Sequence, residues 1–368
     1  MPSLQDKAKQ YYSAKYTLSL VETAYLIILL VLFQALGLSK ILAGVISGIT
    51  AKDYLVLPIY LLAVYIAYYT LNFPLNFYHS FVLERVFSLS NQKIGDWLKD
   101  QLKSAIIFYL ISLILFWVFY YILGRLPHAW WLVVSCVWIF FSLIMARLTP
   151  LIIIPLFFKY KPLADEILRQ RVINLANRMK IKLLDVFEID FSKKTLKANA
   201  AFVGWGKTKR VLLADTLKNK YSHDEIEVIL AHEFAHYHLK HIFKLIAANS
   251  LITLATFYLI FKSSRYFLDL LGLSSLQDIA AFPLIIIYFI IVGVTLGPLQ
   301  NYFSRRLEIN ADMLALKVTG LKSAFISMMD KLATQNLADR NPSPIIKIFF
   351  FDHPPTDERI KMAQSFTK

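Results

Sequence analysis

The 368-residue chain holds one cysteine, Cys136. A lone thiol excludes an intrachain disulfide and any cysteine-based zinc cluster. Its apolar flanks, Val133 to Phe141, predict a buried, inert thiol. Charge is also scarce: 18% of the residues are Asp, Glu, Lys or Arg, where soluble domains run to about 25%. Acidic residues are the scarcer sign, 25 against 40 Lys and Arg. No tandem repeat or low-complexity tract occurs, which excludes a repeat architecture.

Apolar surface is what the chain has in excess. Hydrophobic residues make up 57% and aromatics 15%, and the mean hydropathy is +0.52. A soluble core grows only with folded volume and cannot enclose that excess. An ordinary soluble enzyme and a disordered chain are both excluded. The net charge of +15 would suggest nucleic acid in a soluble protein. In a membrane protein it reflects cationic loops on the cytoplasmic side, so no nucleic-acid partner is expected.

A membrane-crossing helix needs about 20 mostly apolar residues. Leu18–Leu38, Tyr54–Phe77, Ser104–Leu123, Leu245–Phe261 and Phe282–Phe303 meet that requirement. Trp130–Phe158 is apolar but interrupted by Arg147, Pro150 and Pro155. It reads as one kinked helix or as a full span followed by a shorter one. The expected fold is therefore an all-α polytopic membrane protein with six or seven transmembrane helices. The first span has the length of an anchor rather than of a cleaved leader. With six spans, Lys7, Lys9 and Lys15, the basic loop from Arg85 to Lys103 and the Lys/Arg-rich segment 159–244 fall on one side. The positive-inside rule makes that side cytosolic. A multi-pass protein of a bacterial or archaeal cytoplasmic membrane, or of the endoplasmic reticulum, is expected, in contact with membrane lipid. Four segments follow: 1–158 with four or five spans, 159–244 polar, 245–303 with two spans, and 304–368 polar.

Within 159–244, Leu163–Met179 has helical spacing, while Leu184–Ile189, Ala198–Trp205 and Arg210–Ala214 read as strands. The short link Gly206–Lys209 suggests a hairpin. Ser222-His223-Asp224-Glu225 is a capping box that opens a helix. That helix contains His232-Glu233-Phe234-Ala235-His236, an H-E-x-x-H pattern. Histidines four apart share one helix face and can reach one ion. Glu233, one residue on, is placed to take a proton from a water at that ion. With 8 histidines in 368 residues, an accidental match is expected about 0.004 times. On continued helical phase His238 and His241 leave the ligand face, so polar-face or interfacial roles are expected for both.

A zinc centre for catalysis uses three protein ligands and an open position. Glu308 and Asp312, just past the last span, lie four apart on one face. They suit a carboxylate ligand and a carboxylate holding a histidine N–H. Spacing alone leaves open a solvent-facing charged helix paired with Arg305 and Arg306.

Several motifs in order carry a family resemblance. They are Ser192-Lys193-Lys194, Asn199-Ala200, Lys209-Arg210 through Asp215-Thr216-Leu217, H-E-x-x-H, Glu308…Ala311-Asp312, and His353-Pro354-Pro355 through Arg359. Together they resemble the M48 family of integral-membrane zinc peptidases, most closely the Ste24 branch of type I CAAX prenyl proteases, with HtpX-type quality-control proteases as relatives. Two departures are Ala198 where Ser often stands, and Phe234-Ala235 where Leu-Gly is common. The resemblance implies a small α+β, gluzincin-like zinc-metallopeptidase domain with one Zn2+. It implies His232, His236 and Glu308 as ligands and Asp312 as the outer partner of a ligand histidine. It implies Glu233 and His353 as catalytic residues, with Asn199 and Arg359 lining the substrate cleft. It also implies a water-filled chamber in the membrane, toward which Asn72, Asn76 and His79 could face. The expected substrate is a peptide or protein, cut near a prenylated CAAX-type C-terminus, or otherwise a membrane protein under quality control. A non-catalytic scaffold or a transporter is disfavoured by the intact His232, Glu233, His236 and Glu308.

Overall fold

A computed structural model describes residues 4–50, 52–204, 206–218 and 220–367. The membrane part begins with α1 (Leu4–Ala35), α2 (Leu38–Ile49), α3 (Asp53–Phe77), the short α4 (Leu83–Val86), α5 (Ile94–Arg125), α6 (Trp130–Leu148) and the short α7 (Ile154–Phe157). The polar segment holds β1 (Tyr160–Pro162), α8 (Glu166–Arg178), β2 (Asp185–Ile189), β3 (Ala200–Val203), β4 (Arg210–Ala214), the short α9 (Asp215–Lys218) and α10 (His223–His238). The chain then returns through α11 (His241–Leu270) and α12 (Phe282–Thr319). It ends in α13 (Lys322–Gln335), α14 (Pro344–Phe350) and α15 (Thr356–Ser365).

Among the described residues, six helical stretches are long and apolar enough to cross a membrane. Trp130–Phe157 is one of them, which settles the ambiguous stretch as a single kinked helix. Pro150 lacks an amide hydrogen, and the ladder absorbs the gap as a π-turn over Thr149–Ile153. Six crossings put the head of α1 beside the polar segments. Tyr11 donates to Glu84 at 2.5 Å, Lys197 reaches the same carboxylate at 2.7 Å, and the Tyr16 ring lies 4.9 Å from that of Phe350. These contacts place the N-terminal head on the side of the polar segments, as the six-span reading expects. α2, a twelve-residue apolar helix, has no counterpart in the span assignment.

Inside the bundle the larger rings interlock. Tyr60, Phe116, Phe119, Trp130, Phe257 and Phe282 form one buried cluster, and the Tyr60 hydroxyl shares a hydrogen with Ser39, 2.7 Å away. Polar groups in the spans find partners: His79 and Glu22 at 2.9 Å, Asn72 and Tyr68 at 3.0 Å, Asn76 and Gln101 at 3.2 Å. Cys136 is exposed, not buried. In a lipid-facing helix apolar neighbours mark the outer surface, so the inference from its flanks fails.

The polar segments fold together. The sheet has the order β1-β2-β4-β3, with β2 and β4 parallel and β3 antiparallel to β4. β3 pairs Ala200 with Leu213 and Val203 with Arg210, which realises the expected hairpin. Trp205, the last residue of the expected strand, lies outside the described residues. Gly204 takes φ +100°, and a Cβ there would stand 2.4 Å from the Thr208 carbonyl oxygen. Only glycine fits that turn. The core of this unit joins Leu168, Val172 and Leu175 from α8 with Leu213, Leu230, Phe234 and, from α12 and α13, Leu316 and Phe325. The strip leading into β3 is stitched to the membrane part by a bridge between Ser90 and Thr195 and by the Leu196 amide on the Leu89 carbonyl, 2.9 Å.

Candidate metal centre

The helix that carries the H-E-x-x-H pattern starts at a reciprocal cap. The Glu225 amide donates to the Ser222 hydroxyl at 3.3 Å, and the Ser222 amide donates to the Glu225 carboxylate at 2.7 Å. Glu225 is buried and also accepts from Lys331 and Ser327. Burial opposes its charge, but those donors outweigh burial and hold its carboxyl below the usual range. Arg171 and Arg178 clamp Glu227 on the next turn. From Ile226 to Ala235 nearly every residue is buried, so α10 is fixed on all sides.

On its inner face the Nε2 atoms of His232 and His236 lie 3.1 Å apart. The Glu308 carboxylate from α12 closes on both, 3.2 Å from His232 Nε2 and 3.3 Å from His236 Nε2. The three ligand atoms all lie within 4.8 Å of one another. Asp312 is fully buried one turn beyond Glu308 and sits 2.8 Å from His232 Nδ1. A carboxylate at that distance favours the ring hydrogen on Nδ1, which leaves the Nε2 lone pair on the side of Glu308. With both rings neutral and their hydrogens on Nδ1, three acceptors converge here with no hydrogen to share, and Glu308 Oε2 is buried without a hydrogen-bond partner. A cation fits that convergence, and two imidazoles with one carboxylate are a donor set suited to zinc. Without a cation, burial works against the His232 imidazolium, but Asp312 and Glu308 outweigh it and lift its pKa to about 9.

Glu233 lies beside these ligands, and burial raises its carboxyl pKa, partly offset by the neighbouring histidines. His353 enters from the loop after α14. It is 55% exposed, its Nε2 lies 3.5 Å from Glu308 and its Nδ1 lies 2.8 Å from Asp352. Burial lowers the His353 pKa, but Asp352 and Glu308 reverse the sign and raise it. Asn199 is exposed at the head of β3, and its carbonyl accepts from the Ala214 amide at 3.1 Å. β3 itself lies along α10, with the Phe202 ring 5.0 Å from Phe234 and 5.5 Å from Tyr237. Its outer edge is unpaired in the sheet order. A cavity of about 340 Å³ adjoins the site, with Tyr12, Tyr16, Phe350, His353 and Arg359 in its wall.

Three residues make contacts that the sequence does not assign to them. Arg359, expected to line the substrate cleft, does stand in the cavity wall. In the structure its Nε donates to Asp312 at 2.7 Å and its Nη2 to the other oxygen of that carboxylate. The guanidinium thus steadies the group that steadies His232. His241 was placed off the ligand face as a polar or interfacial residue. In the structure it is fully buried, with its Nδ1 3.1 Å from that of His236. The phase arithmetic assumed one continuous helix. α10 instead stops at His238, and Lys240 adopts a left-handed conformation at φ 56°. The reversal swings His241 back onto the site. Lys240 carries no side-chain signal for such a turn, so the sequence hides it. His238, by contrast, is exposed. Arg305 was offered only as a surface partner, yet it is buried and donates to the carbonyls of Lys347 and Phe351. It ties the Glu308 helix to the loop that carries His353.

The peptidase family M48 profile matches residues 162–367, and the profile for the CAAX prenyl protease N-terminal region, with five membrane helices, matches residues 2–159. The chain belongs to peptidase family M48. One relative is the uncharacterized metalloprotease YhfN of Bacillus subtilis, 33% identical over 282 residues, covering 76% of this chain and 66% of that protein. Another is CAAX prenyl protease 1 of Saccharomyces cerevisiae, 31% identical over 311 residues, covering 78% and 68%. The chain thus spans about two thirds of the length of these relatives. The crystal structure of S. mikatae Ste24p has the same fold, with a TM-score of 0.88 over 98% of this chain and 89% of that chain, at 24% identity. The M48 chain described here is therefore an integral, multi-pass membrane metalloprotease. Its family implies a metal and a peptide or protein substrate.

Proposed function

We propose that this M48 protein is a zinc-dependent endopeptidase with one Zn2+ held by His232, His236 and Glu308. The observation that carries the reading is the convergence of those three acceptors beside Glu233. Zinc, when bound, supplies Lewis acidity, polarising a carbonyl and lowering the pKa of water to about 7. Glu233 takes the proton of the attacking water and later gives it to the leaving amine. Asp352 holds Nδ1 of His353, so the Nε2–H is free to donate to the oxygen that gains charge as the carbonyl is attacked. The open edge of β3 pairs with an extended peptide, and Asn199 at its head donates a side-chain amide to it. Arg359 acts through Asp312 on the orientation of His232.

The CAAX prenyl protease name of the yeast relative and the CAAX-type match over residues 2–159 support a substrate cut near a prenylated C-terminus. The basic loops around Arg85–Lys103 and in 159–244 support a cytosolic catalytic side. Metal analysis of the purified chain, with cleavage of a prenylated C-terminal peptide and an unprenylated control, tests the reading. Zinc with cleavage of the prenylated peptide alone is the expected result. Cleavage of both would favour broad quality control, and the absence of both zinc and cleavage would overturn the assignment. Protection of segment 159–244 from protease in sealed inside-out vesicles would overturn the cytosolic placement.

A further inference from the structure

The two ligand histidines have matched outer partners, and only one of the pair was foreseen. His232 Nδ1 faces Asp312 at 2.8 Å and His236 Nδ1 faces His241 at 3.1 Å. His241 is the first residue of α11, a membrane-crossing helix, and no part of its side chain reaches solvent. Histidine is intermediate in burial among the residue types, and a fully buried one calls for a polar partner. Its Nε2 has no hydrogen-bond partner among the described residues, so the contact with His236 is the polar contact that its position secures.

We propose that His241 is a positioning residue that fixes the ring tautomer and orientation of His236 for the cation. The inference rests on the zinc reading above. His236 turns Nε2 toward His232 and Glu308. To offer that lone pair, the neutral ring must carry its hydrogen on Nδ1. A buried N–H needs an acceptor, and Nδ1 of His241 is the atom at hydrogen-bond distance. His241 is then itself neutral, accepting at Nδ1 and carrying its hydrogen on Nε2, and that buried N–H, without a partner among the described residues, is the cost of the arrangement. The left-handed Lys240 is the local device that delivers it, because a continuous helix would have turned residue 241 away. Losing such an outer partner costs metal affinity about 10–100-fold in related centres.

The test is the zinc dissociation constant of the full chain in detergent, measured by competition with a chromophoric chelator. The amide oxygen of asparagine falls near the place of imidazole Nδ1, and that of glutamine near Nε2. His241→Asn should therefore bind zinc within about threefold of the wild type, while His241→Gln and His241→Leu weaken it about 10–100-fold. A packing role alone would not separate Asn from Gln. Equal affinity for those two variants, or wild-type affinity in His241→Leu, would overturn the proposal. If the leucine variant does not accumulate, the Asn–Gln comparison still decides. A wild-type chain that binds no zinc would overturn the metal reading itself, a different result from a wild type that binds and variants that do not differ.

Discussion

Replacing Arg359 by methionine separates two jobs that a guanidinium near a cleft can do. Asp312 has no exposed surface and Arg359 only 13% of its side chain exposed, so the pair is a buried one. Breaking such a pair from one side costs about 3–5 kcal/mol, because the remaining charge is stranded. Asp312 retains His232 at 2.8 Å, which places the expected loss near the lower bound, about 3 kcal/mol. At about 2.1 cal/mol/K of unfolding entropy per residue, a chain of 368 residues shifts by about 1.3 °C per kcal/mol, so Tm should fall by about 4 °C. The substitution roughly conserves length and apolar stem, so lost packing contributes little. The assay is thermal unfolding of the metal-free protein in detergent, run beside KM for a cleavable peptide. A further Asp312→Asn change should couple with the first, since it removes the stranded charge and leaves their joint cost below the sum. A Tm within about 2 °C of the wild type, together with a raised KM, would refute the reasoning and return Arg359 to the substrate.

Other outcomes follow from the same contacts. Glu233→Gln should keep the metal and lose about 10²–10⁴-fold in kcat, read by zinc content and single-turnover cleavage. His353→Ala should lower kcat about 10²–10³-fold with metal content unchanged; equal loss of both would make it a structural residue. Glu225→Gln should destabilise by about 2 kcal/mol at neutral pH. The native carboxyl is held below its unfolded value by Lys331, Ser327 and Ser222, so its contribution is present above the unfolded pKa. It fades as pH falls through the folded one. Unfolding of wild type and variant should therefore converge toward acid pH. Gly204→Ala forces a Cβ to 2.4 Å from the Thr208 carbonyl at φ +100° and should cost more than about 1 kcal/mol, seen as a lower Tm.

Local chemistry was legible in the sequence, and chain reversals were not. The pairing of His232 with His236 is visible because one helix turn fixes it, and that of Glu308 with Asp312 for the same reason. The capping box at Ser222 and the β3–β4 hairpin are equally local. His241 escaped because 100° per residue holds only while the helix continues, and Lys240 ends it without a glycine to announce the turn. Arg305 reads as a surface charge until the loop around Phe351 folds over it. The cavity wall formed by Tyr12 and Tyr16 joins the first helix to residues more than 300 positions away, a separation no periodicity reports. Cys136 shows the converse error, in which a true statement about apolar neighbours led to the wrong side of the helix.

α12 runs from Phe282 to Thr319 with Pro298 inside it. Bending in such a rod concentrates at the proline, where the ladder lacks a hydrogen bond. Ten residues on, about 15 Å along the axis, comes Glu308. A bend of about 10° at Pro298 would sweep that carboxylate sideways by about 2.5 Å, whereas metal–ligand distances hold to about 0.2 Å. The lever arm leaves an angular tolerance of about one degree. A stiff, close-fitting bundle around Pro298 is therefore a condition for holding the Glu308 carboxylate against His232 and His236.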